Sequence, residues 1–224
     1  YIHGRALSFA TGVSLSRPDL HVFAFGGDGD AFSIGGNHFM HTARKNVKMT
    51  YVVMDNFVYG LTKKQTSPTS PIGFKSKTDN WGAFDRPINP MKLAISAGAT
   101  FVARSSHTNP KHLLEMMDAA MDHDGFGFIE CLSECTEFYK GAFDPTNPRK
   151  GGVFDLVPED HDVTDEAAAY ELASEDFPGK FGIFYKAQIP TKNALETGLQ
   201  DAAKAKFEGK KDWEILQSTF NRMK

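Results

Sequence analysis

An apolar run, His21 to Phe25, opens into Gly26-Gly27-Asp28-Gly29-Asp30, and the 26 residues numbered 30 to 55 separate Gly29 from Asn56. That interval has room for one helix, Ala31 to Lys45, and one strand, Lys48 to Met54. A single right-handed crossover of this length returns Asn56 to the carboxyl edge of a parallel sheet, beside Asp28, where ligands of open α/β sheets bind. Glycines at a strand end let the backbone turn tightly toward a phosphate, and a carboxylate there can hold a hard cation. Magnesium takes oxygen ligands and keeps phosphate oxygens as partners. Asp28, the Asn56 amide oxygen and a nearby backbone carbonyl would therefore form one face of its shell, with a diphosphate and water completing it. A lone Gly-Asp-Gly would read as a solvated turn; the placement of Asn56 argues for the metal.

The rest of the chain alternates strand and helix, the pattern of a parallel α/β sheet. Further strands are expected at His21 to Phe25, Thr100 to Arg104, Gly127 to Cys131 and Phe181 to Tyr185. Helices are expected at Arg5 to Leu15, Pro90 to Ala97, Pro110 to Asp122, Asp165 to Ser174, Asn193 to Phe207 and Trp213 to Asn221. Asn109 and Thr164 stand where side-chain oxygens can cap two of these helices. Two stretches lack periodicity, 62–89 and 138–162, and loops of this length usually cover a site or meet a partner. A helical extension begins near residue 190, and its mixed charges from Ala202 onward read as a solvated face, with a clasp on a neighbouring subunit as the alternative.

At 224 residues, 41% hydrophobic and 24% charged, the chain is long enough for one compact domain with a substantial core. A net charge of −3 gives no electrostatic reason to expect nucleic acid. Nothing in the composition points to a membrane span. Two cysteines, Cys131 and Cys135, are too few for a secreted disulfide framework, and a cytoplasmic address is the expectation. The chain opens on Tyr1 rather than Met, and further residues are expected upstream.

The Gly-Asp-Gly and Asn56 pattern resembles the diphosphate and magnesium motif of thiamine diphosphate enzymes. His3-Gly4-Arg5-Ala6, Ala10-Thr11-Gly12-Val13, Ile34-Gly35-Gly36-Asn37-His38 and Tyr59-Gly60-Leu61-Thr62-Lys63-Lys64-Gln65-Thr66-Ser67-Pro68-Thr69 resemble the β subunits of the 2-oxoacid:ferredoxin oxidoreductases, nearest the 2-oxoglutarate branch. The resemblance implies that residues 1–224 are a single diphosphate-binding domain of doubly wound, mainly parallel α/β fold. It implies a cofactor cradle of Gly27, Asp28, Gly29, Asp30, Asn56, Val58, Gly60 and Leu61, with Asp28, Asn56 and the Val58 carbonyl on magnesium. It also implies an α subunit carrying the pyrimidine-binding domain, arranged as a dimer of αβ heterodimers, with coenzyme A, a 2-oxoacid and ferredoxin as reaction partners. Alone, this chain is expected to be inactive.

Several residues carry two readings. Asp30 orients the loop or a metal-bound water, or caps the following helix, and the cap is preferred. Asn37 and His38 face either the cofactor or the core, and a lone helical histidine is more often packed than catalytic. Lys63 and Lys64 are two exposed lysines on a flexible loop, or cations for the diphosphate or the distal carboxylate of a dicarboxylic substrate. The resemblance shifts weight to Lys63 as a catalytic residue, and His3 is placed with it. Arg5 binds a ligand or pairs with a neighbouring acid. Cys135 matches the last cysteine ligand of the family's 4Fe-4S cluster, whose other ligands are expected upstream of Tyr1; Cys131 reads as core.

The function expected is oxidative decarboxylation of a 2-oxoacid, 2-oxoglutarate first or pyruvate, to an acyl-CoA, with electrons passing through the cluster to ferredoxin. The alternatives are another thiamine diphosphate enzyme, a decarboxylase or synthase, and a non-catalytic phosphate-binding module.

Overall fold

The computed structural model describes residues 2–223. Strands β1 (Phe23–Gly27), β2 (Met49–Asp55), β3 (Phe101–Ser106), β4 (Phe126–Leu132) and β5 (Gly182–Lys186) form one sheet in the order β1-β2-β4-β3-β5. The first four are mutually parallel, and β5 closes the far edge antiparallel to β3. The mainly parallel α/β sheet expected above is the one observed, with strand ends displaced by one or two residues. The displacement matters at β1: the strand runs through Gly27, so Asp28 begins the helical turn that follows.

The sheet is covered on both faces, which is why β2, β3 and β4 are nearly continuous runs of buried residues. Helices α1 (Ala6–Ser16), α2 (Gly36–Arg44), α3 (Pro90–Ser96) and α5 (Glu166–Leu172) lay Leu7, Phe39, Met91 and Ala169 against Tyr51, Val53 and Phe128. Phe39 meets Phe126 and Phe128 edge-on at 6.0 and 5.3 Å, a favoured aromatic geometry. On the opposite face α4 (Pro110–Met121) packs Leu113, Met116 and Met117 over Val52 and Ile129. It stops short of β1, where Phe25 is 53% exposed.

The expected helix from Ala31 to Lys45 is two pieces. Asp30–Ile34 is a π-helical turn, closed by the Gly35 amide donating to the Asp30 carbonyl at 3.1 Å, and α2 starts only at Gly36. A Cβ on Gly35 would lie 2.3 Å from that carbonyl, so the wide turn requires glycine there. Such turns recur at functional sites.

Asn109 caps α4 as expected, accepting the His112 amide at 3.3 Å. Thr164 does not cap α5. The cap is Asp165, one residue later, whose extended backbone brings its carboxylate to the amides of Ala167 and Ala168 at 2.9 and 3.1 Å. The Thr164 hydroxyl turns back to Asp162. Residues 56–89 hold no helix or strand beyond an isolated Tyr59–Gln65 bridge, and 138–162 hold two short 3-10 turns and one further bridge at Leu156.

The C-terminal extension is anchored at its start. Asn193, in α6 (Lys192–Lys206), donates to the Ser14 carbonyl and accepts the Lys48 amide, both at 2.9 Å. Beyond it α7 (Asp212–Arg222) buries no residue, with Trp213, Leu216 and Phe220 among the exposed side chains.

Candidate cofactor and metal site

Asp28 and Asn56 follow the ends of β1 and β2 at the same carboxyl edge, through the parallel register in which Gly27 stands opposite Met54. The glycines of the run act by making room. Gly29 is right-handed, with φ −66°, and a Cβ on it would lie 2.0 Å from the Tyr59 ring. The Tyr59 hydroxyl donates to the Gly29 carbonyl at 3.3 Å, closing the loop after Asn56 onto the turn after β1. No left-handed turn is needed, contrary to the usual reason for glycine at a strand end; the close ring is the reason.

Asp28 is 2% exposed. Burial pushes its carboxyl above the ordinary carboxylate range, opposed by hydrogen bonds from Ser67, Thr69 and the backbone amides of Asp28 and Gly29. Thr69 reaches it from the long loop, with Oγ1 2.9 Å from Asp28 Oδ2 and 2.7 Å from Asp55 Oδ1. Asp55, the last residue of β2, is fully buried, and its Oδ2 has no hydrogen-bond partner among the described residues. Burial, then repulsion from Asp28 and from Glu130, raises its carboxyl well above the ordinary range. A threonine hydroxyl has one hydrogen and can donate to one carboxylate only. Because folding raises the Asp55 carboxyl, its contribution to stability declines as pH rises above the unfolded carboxylate pKa of about 4.

Asn56 forms a turn of its own, with Oδ1 accepting the Val58 amide at 3.1 Å. The Val58 carbonyl accepts no backbone hydrogen bond among the described residues. One carboxylate, one amide oxygen and one carbonyl oxygen are the donor types magnesium favours. They stand beside a buried pair of carboxyl groups, and the nearby buried guanidinium of Arg104 is committed to Glu130. These residues fit a divalent cation carrying a diphosphate. No cluster of three His, Cys, Asp or Glu side chains suited to a metal occurs among the described residues.

Asp30 does not cap the helix. Its Oδ1 accepts the Gly4 amide at 2.6 Å and lies 2.9 Å from His3 Nδ1, tying the turn before α1 to the motif. The position before α2 is taken by the π turn, which leaves Asp30 inside a helical segment with its side chain free to reach outward. His3 thereby stands beside Asp30, with its ring 6.4 Å from that of Tyr59. Arg5 forms no ion pair among the described residues; its one side-chain hydrogen bond is to the Gly4 carbonyl. Asn37 is exposed, and His38 is half-buried against a crevice lined by Leu7 and Tyr51, on the core side of α2.

Gly60 lies within contact distance of Cys135, since a Cβ built on it would sit 3.5 Å from Sγ. Cys135 is half-buried beside Val58, Phe74 and Tyr139. Cys131 is core, as expected, and burial lifts its thiol to about 12. Lys63 and Lys64 form the tip of the Tyr59–Gln65 hairpin, both left-handed at φ 72° and 75°. Lys64 lies over the Phe74 ring at 5.5 Å, whereas the Lys63 side chain is exposed and unpaired among the described residues. Leu61 is 98% exposed and stands clear of the other expected cofactor residues.

Sequence reasoning missed Asp55, Thr69 and the pair formed by Arg104 and Glu130. The last two are register partners on β3 and β4, with Arg104 Nε 2.5 Å from Glu130 Oε2 and both side chains at most 10% exposed. Arg104 also donates to the Pro178 carbonyl at 3.3 Å and lies over the Phe184 ring. The pair borders a cavity of about 300 Å³ between the loops, walled by Phe57, Thr69, Leu132 and Phe177. A carboxylate ending an apolar strand was the available signal for Asp55; Thr69 closes the segment that carries the family resemblance, but nothing in the spacing ties it to Asp28.

Comparison with known proteins places this arrangement. Residues 1–131 match the family model described as thiamine pyrophosphate enzyme, C-terminal TPP binding domain. The chain is 47% identical over 156 residues to the 2-oxoglutarate oxidoreductase subunit KorB of Mycobacterium tuberculosis, covering 70% of this chain and 41% of that protein. It is 46% identical over 204 residues to the 2-oxoacid:ferredoxin oxidoreductase subunit beta of Saccharolobus solfataricus, covering 84% of this chain and 65% of that one. Among solved structures it resembles the 2-oxoglutarate:ferredoxin oxidoreductase from Magnetococcus marinus, with a TM-score of 0.86 and 41% identity, covering 96% of this chain and 73% of that chain. The match spans half or less of the first curated relatives' own length. The chain belongs to the thiamine pyrophosphate enzyme family through its TPP-binding domain, and within it to the β subunits of the 2-oxoacid:ferredoxin oxidoreductases.

Proposed function

We propose that this chain is the thiamine diphosphate- and magnesium-binding β subunit of an enzyme that oxidatively decarboxylates a 2-oxoacid, 2-oxoglutarate foremost, to an acyl-CoA with ferredoxin as electron acceptor. An α subunit supplies the pyrimidine-binding half, in a dimer of αβ heterodimers. The observation that carries the reading is the meeting of Asp28 and Asp55-Asn56 at one sheet edge under a single threonine. The names of the relatives support the reaction class, and the Magnetococcus structure has 2-oxoglutarate, coenzyme A and succinyl-CoA bound.

The chemistry supplied by bound thiamine diphosphate is formation of a carbanion and retention of the electrons left when carbon dioxide departs. Asp28, Asn56 and the Val58 carbonyl would hold the magnesium, which would in turn carry the diphosphate. Gly27 and Gly60 keep the walls of this cradle low, and Leu61, exposed on the hairpin, meets the cofactor or its partner subunit. His3, positioned by Asp30, donates or accepts a proton at the reacting end. Cys135 is a single cysteine and Cys131 is locked in β4, whereas a 4Fe-4S cluster takes four ligands. The described residues therefore do not make up a cluster site. Cys135 would be one ligand of four.

The assembled α and β subunits should reduce ferredoxin only when 2-oxoglutarate and coenzyme A are both present. Release of an aldehyde without ferredoxin reduction would make the protein a non-oxidative decarboxylase. Cofactor binding without turnover of any 2-oxoacid would leave a binding module.

Lys63 is the distal-carboxylate contact in this reading. A hydrogen bond to a charged group contributes about 1.5 to 3 kcal/mol. Lys63→Ala should therefore lower kcat/KM for 2-oxoglutarate on the order of tenfold to a hundredfold while sparing pyruvate, which has no second carboxylate. Equal losses on both substrates would put Lys63 on the diphosphate.

A further inference from the structure

The loop 62–89 touches the motif at one buried place. Ser67, Thr69 and Ser70 are 6%, 4% and 2% exposed, unusual for hydroxyl residues in a segment without regular structure. The turn they form is tied to other segments at two points and closed on itself by a third bond. Ser70 Oγ donates to the Phe57 carbonyl at 2.6 Å and accepts the Ser67 amide at 2.8 Å, and the Ile88 amide donates to the Pro68 carbonyl at 2.8 Å. Thr69 projects from this anchored turn, so its hydroxyl has a set position rather than a range of them. That position lies between the carboxyl group that ends β2 and the one that follows β1.

We propose that Thr69 is a positioning residue for the metal: by holding Asp28 Oδ2 against the end of β2, it fixes the orientation in which Asp28 meets a divalent cation and sets its separation from Asn56. The proposal rests on the reading of Asp28 and Asn56 as magnesium ligands. Two carboxyl groups facing each other repel when ionised, and a carboxylate on a single side-chain torsion can swing away. The Thr69 hydroxyl opposes both motions. It does so from the loop, which makes cation binding sensitive to whether residues 67–70 are seated. Partners of this outer kind typically change metal affinity 10- to 100-fold when removed.

The test is calorimetric titration of the assembled αβ complex with magnesium at saturating thiamine diphosphate, compared across variants. Thr69→Val keeps the volume and removes the hydroxyl; it should raise the magnesium dissociation constant about tenfold to a hundredfold. Thr69→Ser should stay within about threefold of wild type, since the hydroxyl returns. Thr66→Val, in the same loop but bonded to Ser76 and Asp79, should leave magnesium affinity unchanged. If valine prevents assembly, Thr69→Ala carries the same test. Wild-type affinity in the valine or alanine variant overturns the proposal, as does a serine variant as weak as valine, which would assign the effect to packing. Failure of the wild-type complex to bind thiamine diphosphate with magnesium would instead overturn the underlying metal reading, and this proposal with it.

Discussion

Asp28→Ala weakens magnesium-dependent thiamine diphosphate binding by more than about a hundredfold, to the point where calorimetry of the assembled complex detects none. Loss of an outer hydrogen-bonding partner typically costs 10- to 100-fold in metal affinity, and loss of a charged direct ligand costs more. Asn56→Ala should do less, because a neutral amide contributes no charge and water can take its place. The fold should survive both. Asp28 is a buried carboxyl that faces Asp55, and removing it relieves repulsion on a group already held well above its ordinary range. The apo protein should therefore melt no lower in Asp28→Ala than in wild type, while the stabilisation normally gained from the cofactor disappears. Undiminished cofactor affinity in this variant would remove Asp28 from the metal.

Arg104→Ala acts on the fold. Its guanidinium balances Glu130 at 2.5 Å in the sheet interior, and truncation leaves that carboxylate buried near Asp55 with no opposite charge. Breaking such a pair from one side costs about 3–5 kcal/mol. For a chain of this size that is a fall in melting temperature of roughly 6–20 °C, read by calorimetry or circular dichroism. Replacing both partners, Arg104→Met with Glu130→Leu, should recover most of the loss, because apolar side chains of similar volume restore packing without a stranded charge. A double variant as unstable as Arg104→Ala would mean that the hydrogen bond to Pro178 or the contact with Phe184 carries the stability instead.

The motif's two halves were legible because their spacing has a physical cause. A parallel pair needs one crossover, and residues 30–55 hold one. The alternation of apolar runs and helical periodicity located the five strands and, α2 excepted, the α-helices of the described residues to within about two residues. The errors came where side chains compete for the backbone. Asp30 looked like a cap, and it is drawn instead to His3 and Gly4, because a π turn occupies the place where the helix should begin. Thr164 and Asp165 are both good caps, and only their backbone angles select the second. Cys131 was recognised as core from its place inside a strand, since a strand covered on both faces buries every residue it holds.

The sequence by itself determined the α/β alternation, the return of Asn56 to the edge where Asp28 stands and, through its motifs, the family. These depend on local periodicity and on short intervals along the chain. The tertiary structure alone decided what those groups touch. Thr69 is 41 residues from Asp28 and 14 from Asp55, across a loop without periodicity, and only the seating of that loop puts one hydroxyl between two carboxyl groups. Arg104 and Glu130 are 26 residues apart and become partners only once β3 and β4 align in register. Contacts of this kind arise from packing and from the exclusion of water at the sheet edge. Neither leaves a period in the sequence.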